Sequence, residues 1–559
     1  MTILGIANDE TASACIIRDG KLIAAASEER FTRVKMDNSW PAQSIEYCLE
    51  FAGTTLEELD AVTYGWSAGF DAERHLLPYF DRIVYEAEQN PGGLAVFRER
   101  IDTEIQQDRK KRDEFWEFIE VNNLQEKAYS YDHHESHAWS AYSCSPFEEA
   151  LVVTCDGRGD FLALSVAWID RDKMDVLYRA SSVDSLGFFY GRITSLLGYT
   201  PHRHEGKVTG LAAHGDPEKL LPLMREMIYV KSGKIYGQSG EYYRPFYSNF
   251  SEKLEAVIAE NSREDVAAAA QVHLEQCVTE LVRYHVEQTG AEYVCMAGGT
   301  FANVRVNQCV YEIPGVKNIY IHPQMGDGGL SVGAAAGYLY ERNEPKVEVE
   351  DMYLGPEYTD EEILAELKNQ KELEWEIPDD REGRAVEALG ENRVIGWFNG
   401  RMEFGPRALC NRSIIYHCKD RTVNDWLNER MDRTEFMPFA PVTAEELAPE
   451  CYKGWKGDHI ASRFMTVTYY CTEKMAESCP AAVHIDNTAR PQVVSSSDNP
   501  AIHKLLMRFY KETGGLSLIN TSFNRHEEPI VNQPSEAIDA LRRGIVDVLF
   551  IGSYMVVKG

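Results

Sequence analysis

A chain of 559 residues is too long for one hydrophobic core, so at least two domains are expected; 44% hydrophobic and 11% aromatic residues describe packed domains rather than disorder. The formal charge of −32 excludes a non-specific grip on nucleic acid or anionic lipid, and any phosphate handling must come from local basic pockets. No apolar run approaches the roughly eighteen residues of a membrane span.

In chain order, Met1 leads straight into "TILGIANDE" without a signal-peptide pattern, so a cytoplasmic protein is expected. "ILGIA" reads as a strand ending at Asn8-Asp9, and "ASACIIRDGKLIAAASEE" folds back around Asp19-Gly20 as a hairpin. "PAQSIEYCLEFAG" starts a helix at Pro41, keeps Ile45, Cys48, Leu49 and Ala52 on one face and stops at Gly53. From Ala72 to Asn123 the pattern is helical and heavily charged, as in a solvated insertion.

"DHHESHA" comes next. On a helix His133 and His137 stand at i and i+4 and share a face, while His134 points elsewhere. Such a pair can simply cap or pack a helix, so a metal site also needs carboxylates. "ALVVTCDGRGD" supplies one, a strand ending in Asp156-Gly157, followed by the strand pair of "LALSVAWIDRDKMDVLYRASS". A strand that delivers an aspartate to a turn, followed by a meander, thus occurs twice. That pattern predicts a duplicated α/β module with a cleft between its halves.

Further on, "EGKVTG" places Glu205 and Lys207 among glycines, where the lysine reaches a phosphate or is a solvated turn residue. "YVCMAGGTFANVRVN" is a buried strand, then Gly298-Gly299, then a helix carrying Asn303 and Asn307; paired glycines at such a turn let main-chain amides approach a phosphate. Asp327 lies in the glycine-rich "QMGDGGLSVGAA". His133, His137, Asp156 and Asp327 together form a mixed nitrogen and oxygen set that suits iron, manganese or zinc better than calcium or magnesium. The twelve cysteines include no CxxC pair, and Cys15, Cys155 and Cys295 lie in apolar runs, as expected of buried thiols in a reducing compartment.

The chain turns acidic over Glu344–Asp351, as a linker does, and new strands begin near Val394. "NGRMEFGPRALCNRS" then gathers Arg401, Arg407 and Arg412 among Gly and Pro, an oxyanion-pocket pattern in so acidic a protein. "PAAVHIDNTARPQVV" adds His484, Asp486, Thr488 and Arg490. "GLSLINTSFNRHEEPIV" runs a strand into Asn520, Thr521, Ser522 and Asn524, small polar groups able to hold a second anion.

"DHHESHAWSA", "CDGRGD", "SLGFFYGRITSLLG", "EGKVTGLAAHG", "AGGTFANVRVN", "GDGGLSVGAA", "GRMEFGPRALCNRSI", "PAAVHIDNTARPQ" and "NTSFN", in this order over nearly the whole chain, resemble the O-carbamoyltransferases of nodulation-factor, cephamycin and tobramycin type. The resemblance implies an α/β protein. A duplicated actin-like ATPase (ASKHA, TsaD-like) domain would cover residues 1–350, a linker 351–370 and a YrdC-like domain 371–559. It implies that carbamoyl phosphate and ATP, the latter with Mg2+, give carbamoyl adenylate, whose carbamoyl group passes at an Fe(II) site to a hydroxyl. By motif, the metal ligands are the four residues above, Arg407, Arg490 and Ser522 handle phosphates, and Lys35 in "EERFTRVKMD" faces the first cleft. Gly298, Gly299, Asn303, Lys207, Asn520 and Thr521 are the nucleotide-binding candidates.

The chain departs from the family at Glu10-Thr11, where many members carry His-Asp. It departs again at Met431, Thr434 and Met437, which replace Lys, Glu and Arg, with Arg430 and Arg433 near enough to substitute, and Cys410 replaces a glycine. The expected partner is a small-molecule or glycan acceptor, with no nucleic acid and no membrane, and relatives make a homodimer plausible. Glu10 is a candidate base. A tRNA-modification enzyme of carbamoyl-adenylate type and an inactive sugar- or nucleotide-binding regulator are the rival readings.

Overall fold

Short apolar runs ending in Asn, Asp or Gly, with helices between them, build two sheets of the same wiring. The computed structural model describes residues 1–89, 92–171, 173–238, 242, 250–432 and 439–559; the expectations for Arg433, Thr434 and Met437 fall outside these. The first sheet holds β1 (Thr2–Ala7), β2 (Ser13–Arg18), β3 (Lys21–Ser27), β4 (Ala61–Tyr64) and β5 (Ala128–Ser130) in the order β3-β2-β1-β4-β5. β1 is antiparallel to β2 and parallel to β4. The second holds β6 (Ala150–Gly159), β7 (Leu162–Ile169), β8 (Met174–Ser181), β9 (Tyr293–Ala297) and β10 (Asn318–Ile321) in the order β8-β7-β6-β9-β10. β6 is antiparallel to β7 and parallel to β9, the same pattern again. The twofold repeat of strand and meander read from the sequence is present as two α/β halves, each of which also adds a parallel strand beside the first.

Four elements matter for the site. Helix α1 (Gly93–Val121) fills much of the charged stretch before β5. Helix α2 (His133–Ser143) carries the histidine cluster, and helix α3 (Leu330–Tyr340) follows Asp327. α2 packs on β6, β7 and β9, whereas α3 packs on β1, β2 and β4. The two helices meet where Gly333 faces Ser136, and a Cβ on Gly333 would lie 1.8 Å from the Ser136 carbonyl oxygen. The run of small residues in "GLSVGAAAG" permits this approach, and the fourth element, β6, borders it.

Two compact units result: Met1–Ile23 with Asn38–Val349, and Ala24–Asp37 with Glu350–Gly559. Two sequence expectations change. Residues 24–37, read as part of the first domain, belong to the second unit, where Arg30 donates to the Gly405 carbonyl at 2.9 Å and Arg33 to those of Pro529 and Ile530 at 2.8 Å each. Lys35 lies within this segment. Residues 351–370 are not a free linker: Met352, Gly355 and Pro356 exchange main-chain hydrogen bonds with Met402 and Phe404, and a capping box at Thr359 starts the helix Asp360–Lys368.

The second unit is built on one mixed sheet of eight strands. In spatial order they are Leu373–Glu376, Tyr554–Lys558, Val548–Ile551, Ile395–Phe398, Arg412–His417, Leu518–Ser522, Ala440–Ala444 and Gln492–Val494. No helix among the described residues is long and apolar enough to cross a membrane.

Candidate metal centre

α2 is helical because Asp132 caps it, accepting the Glu135 N–H at 3.1 Å. His133 and His137 then leave from one face, and both are fully buried. His134 turns away to Thr154, 2.8 Å from its hydroxyl, and burial with the neighbouring imidazoles lowers its pKa to about 3. β6 does not stop at Asp156 as the sequence suggested. It continues to Gly159 with a register irregularity between Cys155 and Gly159, and this bulge turns Asp156 out of the ladder. Asp327 sits in the turn that opens α3.

These four side chains converge, their ligand atoms all lying within 4.8 Å of one another. His137 Nε2 is 3.0 Å from Asp156 Oδ2 and 3.4 Å from Asp327 Oδ1, and His133 Nε2 is 3.8 and 3.7 Å from the same atoms. Donors bound about 2.1 Å from a common ion stand roughly 3.0 Å apart at right angles and roughly 3.4 Å apart in a tetrahedron, so the set fits a divalent cation. Burial opposes charge on His137, yet hydrogen bonds with Asp156 and Asp327 hold its pKa up, at about 9. Burial, with the charges of Asp9 and Asp156, raises Asp327.

The glycine pair borders this cluster. Gly298 has φ +103°, a Cβ there would sit 2.2 Å from the Cys155 carbonyl oxygen, and one on Gly299 would lie 3.1 Å from Asp156 Oδ1. Asn303 caps the following helix and shares its amide with Gln271, while Asn307 donates to the Phe301 carbonyl. Lys207 lies on the helix Glu205–Ala212 rather than in a turn, 5.7 Å from the centre of the Tyr199 ring. Glu10 pairs with His202 Nδ1 at 2.9 Å. Burial opposes the charge on His202, but the Glu10 hydrogen bond, with Glu10, Glu205 and Asp156 nearby, raises its pKa to about 9.

Sequence reasoning missed the wall that α1 supplies. Its buried face is Phe97, Arg100, Glu104, Asp108, Arg112, Phe115 and Ile119, not a wholly solvated surface. Asp108 binds Arg158 at 2.6 Å, Arg112 binds Asp160 at 2.6 Å, and Lys111 forms an ion pair with Asp9 while lying 4.6 Å from the Trp66 ring centre. Trp66 in turn meets His133 edge-on. Spacing shows that Arg100, Glu104, Asp108 and Arg112, recurring every four residues, share one face, but not that the face is buried.

In the second unit, pairing puts the anion loops at one end of the sheet. Ser413, near the start of its strand, pairs with Ser522, near the end of its own, and Asn520 faces Ala440. Gln492, just after Arg490, pairs beside Val442. Thr521 and Ser522 close a strand at this end of the sheet, and the strands that follow Arg407 and Arg490 begin there. Arg407 is half-buried, and burial lowers its pKa to about 10. Arg401 and Arg412 serve the fold: Arg401 holds the Leu354 carbonyl at 2.6 Å, and Arg412 those of Asn399, Gly400, Asn411 and Pro356. Asn520 spends its amide on the Ala408 carbonyl and on Gln492, and Asp486 accepts from Thr488. Arg430 is bound to Asp547 at 2.6 and 3.0 Å.

The family profile described as Carbamoyltransferase N-terminus matches residues 2–336, and that described as Carbamoyltransferase C-terminus matches residues 386–558. The nodulation protein NolNO of Sinorhizobium fredii is 32% identical over 98% of this chain and 78% of its own length. The 3'-hydroxymethylcephem-O-carbamoyltransferase of Amycolatopsis lactamdurans is 28% identical over 76% of this chain and 79% of its own length. A crystal structure of T. kodakarensis HypF covers 62% of this chain and 49% of that one at 12% identity, with a TM-score of 0.37.

Proposed function

Because this chain belongs to the carbamoyltransferase family, we propose that it is an ATP-dependent O-carbamoyltransferase acting on a hydroxyl of a natural product or sugar. Its substrates would be carbamoyl phosphate and ATP, combined as carbamoyl adenylate by a YrdC-like second unit, with transfer in an actin-like, TsaD-like first unit. The observation that carries this reading is the buried two-histidine, two-aspartate cluster in a chain matched along both halves by the family.

His133, His137, Asp156 and Asp327 would hold the metal, for which Fe(II) is our assignment. Such an ion, when bound, polarises a carbonyl and offsets the negative charge that develops on it. Arg407 and Arg490 neutralise phosphate oxygens during adenylate formation, and Ser522 with the Thr521 main chain orients them. The Gly298-Gly299 turn lets main-chain amides approach an anionic leaving group beside Asp156. Glu10, which pairs with His202 and stands where many relatives carry His-Asp, is our candidate for taking the acceptor proton.

The test is a pyrophosphate assay on the full chain with ATP, Mg2+, carbamoyl phosphate and Fe(II). Carbamoyl-phosphate-dependent pyrophosphate release is expected. Its absence, also in the presence of a panel of sugar and natural-product alcohols, overturns the reading.

A further inference from the structure

We infer that Asp160 is a positioning residue for His133: clamped by Ser67 and Arg112, its carboxylate fixes the main chain from which the first imidazole points at Asp156 and Asp327. This rests on the metal-centre reading above.

A metal-binding histidine normally has its ring set by a hydrogen bond from the second ring nitrogen to a neighbouring carbonyl or carboxylate. His133 Nδ1 is buried and has no such partner among the described residues. Something else must fix the ring. Asp160, 1% exposed, accepts the His133 N–H at 3.0 Å through Oδ2, and the same oxygen accepts the Ser67 N–H and hydroxyl at 3.0 Å each. Its Oδ1 accepts from Arg112 at 2.6 Å. Asp160 and the next residue, Phe161, both have left-handed backbones, with φ of +48° and +63°. Two successive non-glycine residues in that region indicate a conformation imposed by its surroundings, of the kind that collects at functional sites. The preceding Gly159 completes the seat. A Cβ there would lie 2.1 Å from His133 Cγ, so the ring lies against glycine main chain, with the Trp66 ring edge-on at 4.7 Å. The last two residues of "GRGD" thus act together: glycine makes room for the ring and aspartate anchors its main chain.

The experiment uses the full chain, stripped of metal with a chelator and titrated with Co(II) by calorimetry and visible spectroscopy, with melting temperatures recorded alongside. Wild type is expected to bind Co(II). Asp160→Ala is expected to bind it about 10- to 100-fold more weakly, with altered d–d bands. Asp160→Asn keeps an acceptor oxygen for Ser67 and His133 while giving up the one for Arg112, and should recover part of the affinity. Gly159→Ala, whose methyl group would take the ring's place, should lose affinity as Asp160→Ala does. Equal Co(II) affinity in wild type and Asp160→Ala, whatever the melting temperatures, overturns the inference. Equal loss in Asp160→Ala and Asp160→Asn overturns it too. Failure of wild type itself to bind Co(II) removes the metal centre, a different and earlier failure.

Discussion

The imidazole of His137 and the carboxylate of Asp156 meet at 3.0 Å, with the histidine fully buried and the aspartate side chain 16% exposed. Neither element could deliver this contact alone: α2 supplies the ring, and the bulge in β6 turns the carboxylate toward it. Removing the ring leaves two half-buried carboxylates facing each other with one nitrogen donor fewer. We therefore expect His137→Ala to bind Fe(II), Mn(II) or Co(II) at least about 100-fold more weakly and to lose carbamoyl transfer. Pyrophosphate release by the second unit should persist. Metal analysis of the purified variant and the pyrophosphate assay check the two halves separately, and unchanged metal content removes His137 from the site.

The same geometry depends on a helix crossing. Gly333 of α3 lies against the Ser136 carbonyl of α2, one residue before His137, with no room for a methyl group. Gly333→Ala must push the helices apart, at a cost of about 1–3 kcal/mol for overpacking. The expected result is a lowered melting temperature together with weakened metal binding. A variant as stable as wild type would show that the crossing yields without strain.

How much of this was legible in the sequence follows from the range of each interaction. Periodicity and turn residues located β1, the hairpin and the strand before Asp156, because local sterics set them. The four converging side chains were legible from helix spacing and glycine-flanked aspartates. The wall supplied by α1 was not, since a charged helix reads as solvated until its partners Asp9, Arg158 and Asp160 are known, and these lie about fifty to a hundred positions away. Arg412 misled in the opposite direction. Its guanidinium looked like an anion donor beside Arg407, yet four carbonyls occupy it. Composition cannot separate an arginine that holds a ligand from one that holds main chain.

That distinction yields a contrast between neighbouring arginines. Arg407→Ala and Arg490→Ala are expected to lower carbamoyl-phosphate-dependent pyrophosphate release by about 100-fold or more, as loss of a preorganised charge donor does, with metal content and melting temperature near wild type. Arg412→Ala removes a donor from four carbonyls, of which those of Asn411 and Pro356 keep a main-chain partner, and should lower the melting temperature first. Steady-state kinetics beside calorimetry separates the two classes. Normal pyrophosphate release by the Arg407 variant would take that residue out of phosphate handling.

Acid should weaken the fold through imidazoles held neutral. His322, fully buried with Nδ1 2.8 Å from the Gln324 carbonyl, has its pKa lowered by burial to about 4, and burial likewise lowers His459, in the second unit, to about 4. In the unfolded chain both take up a proton near pH 6.5. Between pH 6.5 and 4 the unfolded state therefore binds protons that the folded state does not, and stability falls as pH falls. For His322 the full shift corresponds to about 3 kcal/mol across that window. Melting temperatures of chelated protein, measured from pH 7.5 to 4, should decline below about pH 6.5, with a shallower decline in His322→Gln. The same slope in both proteins would mean that His322 is charged in the folded state.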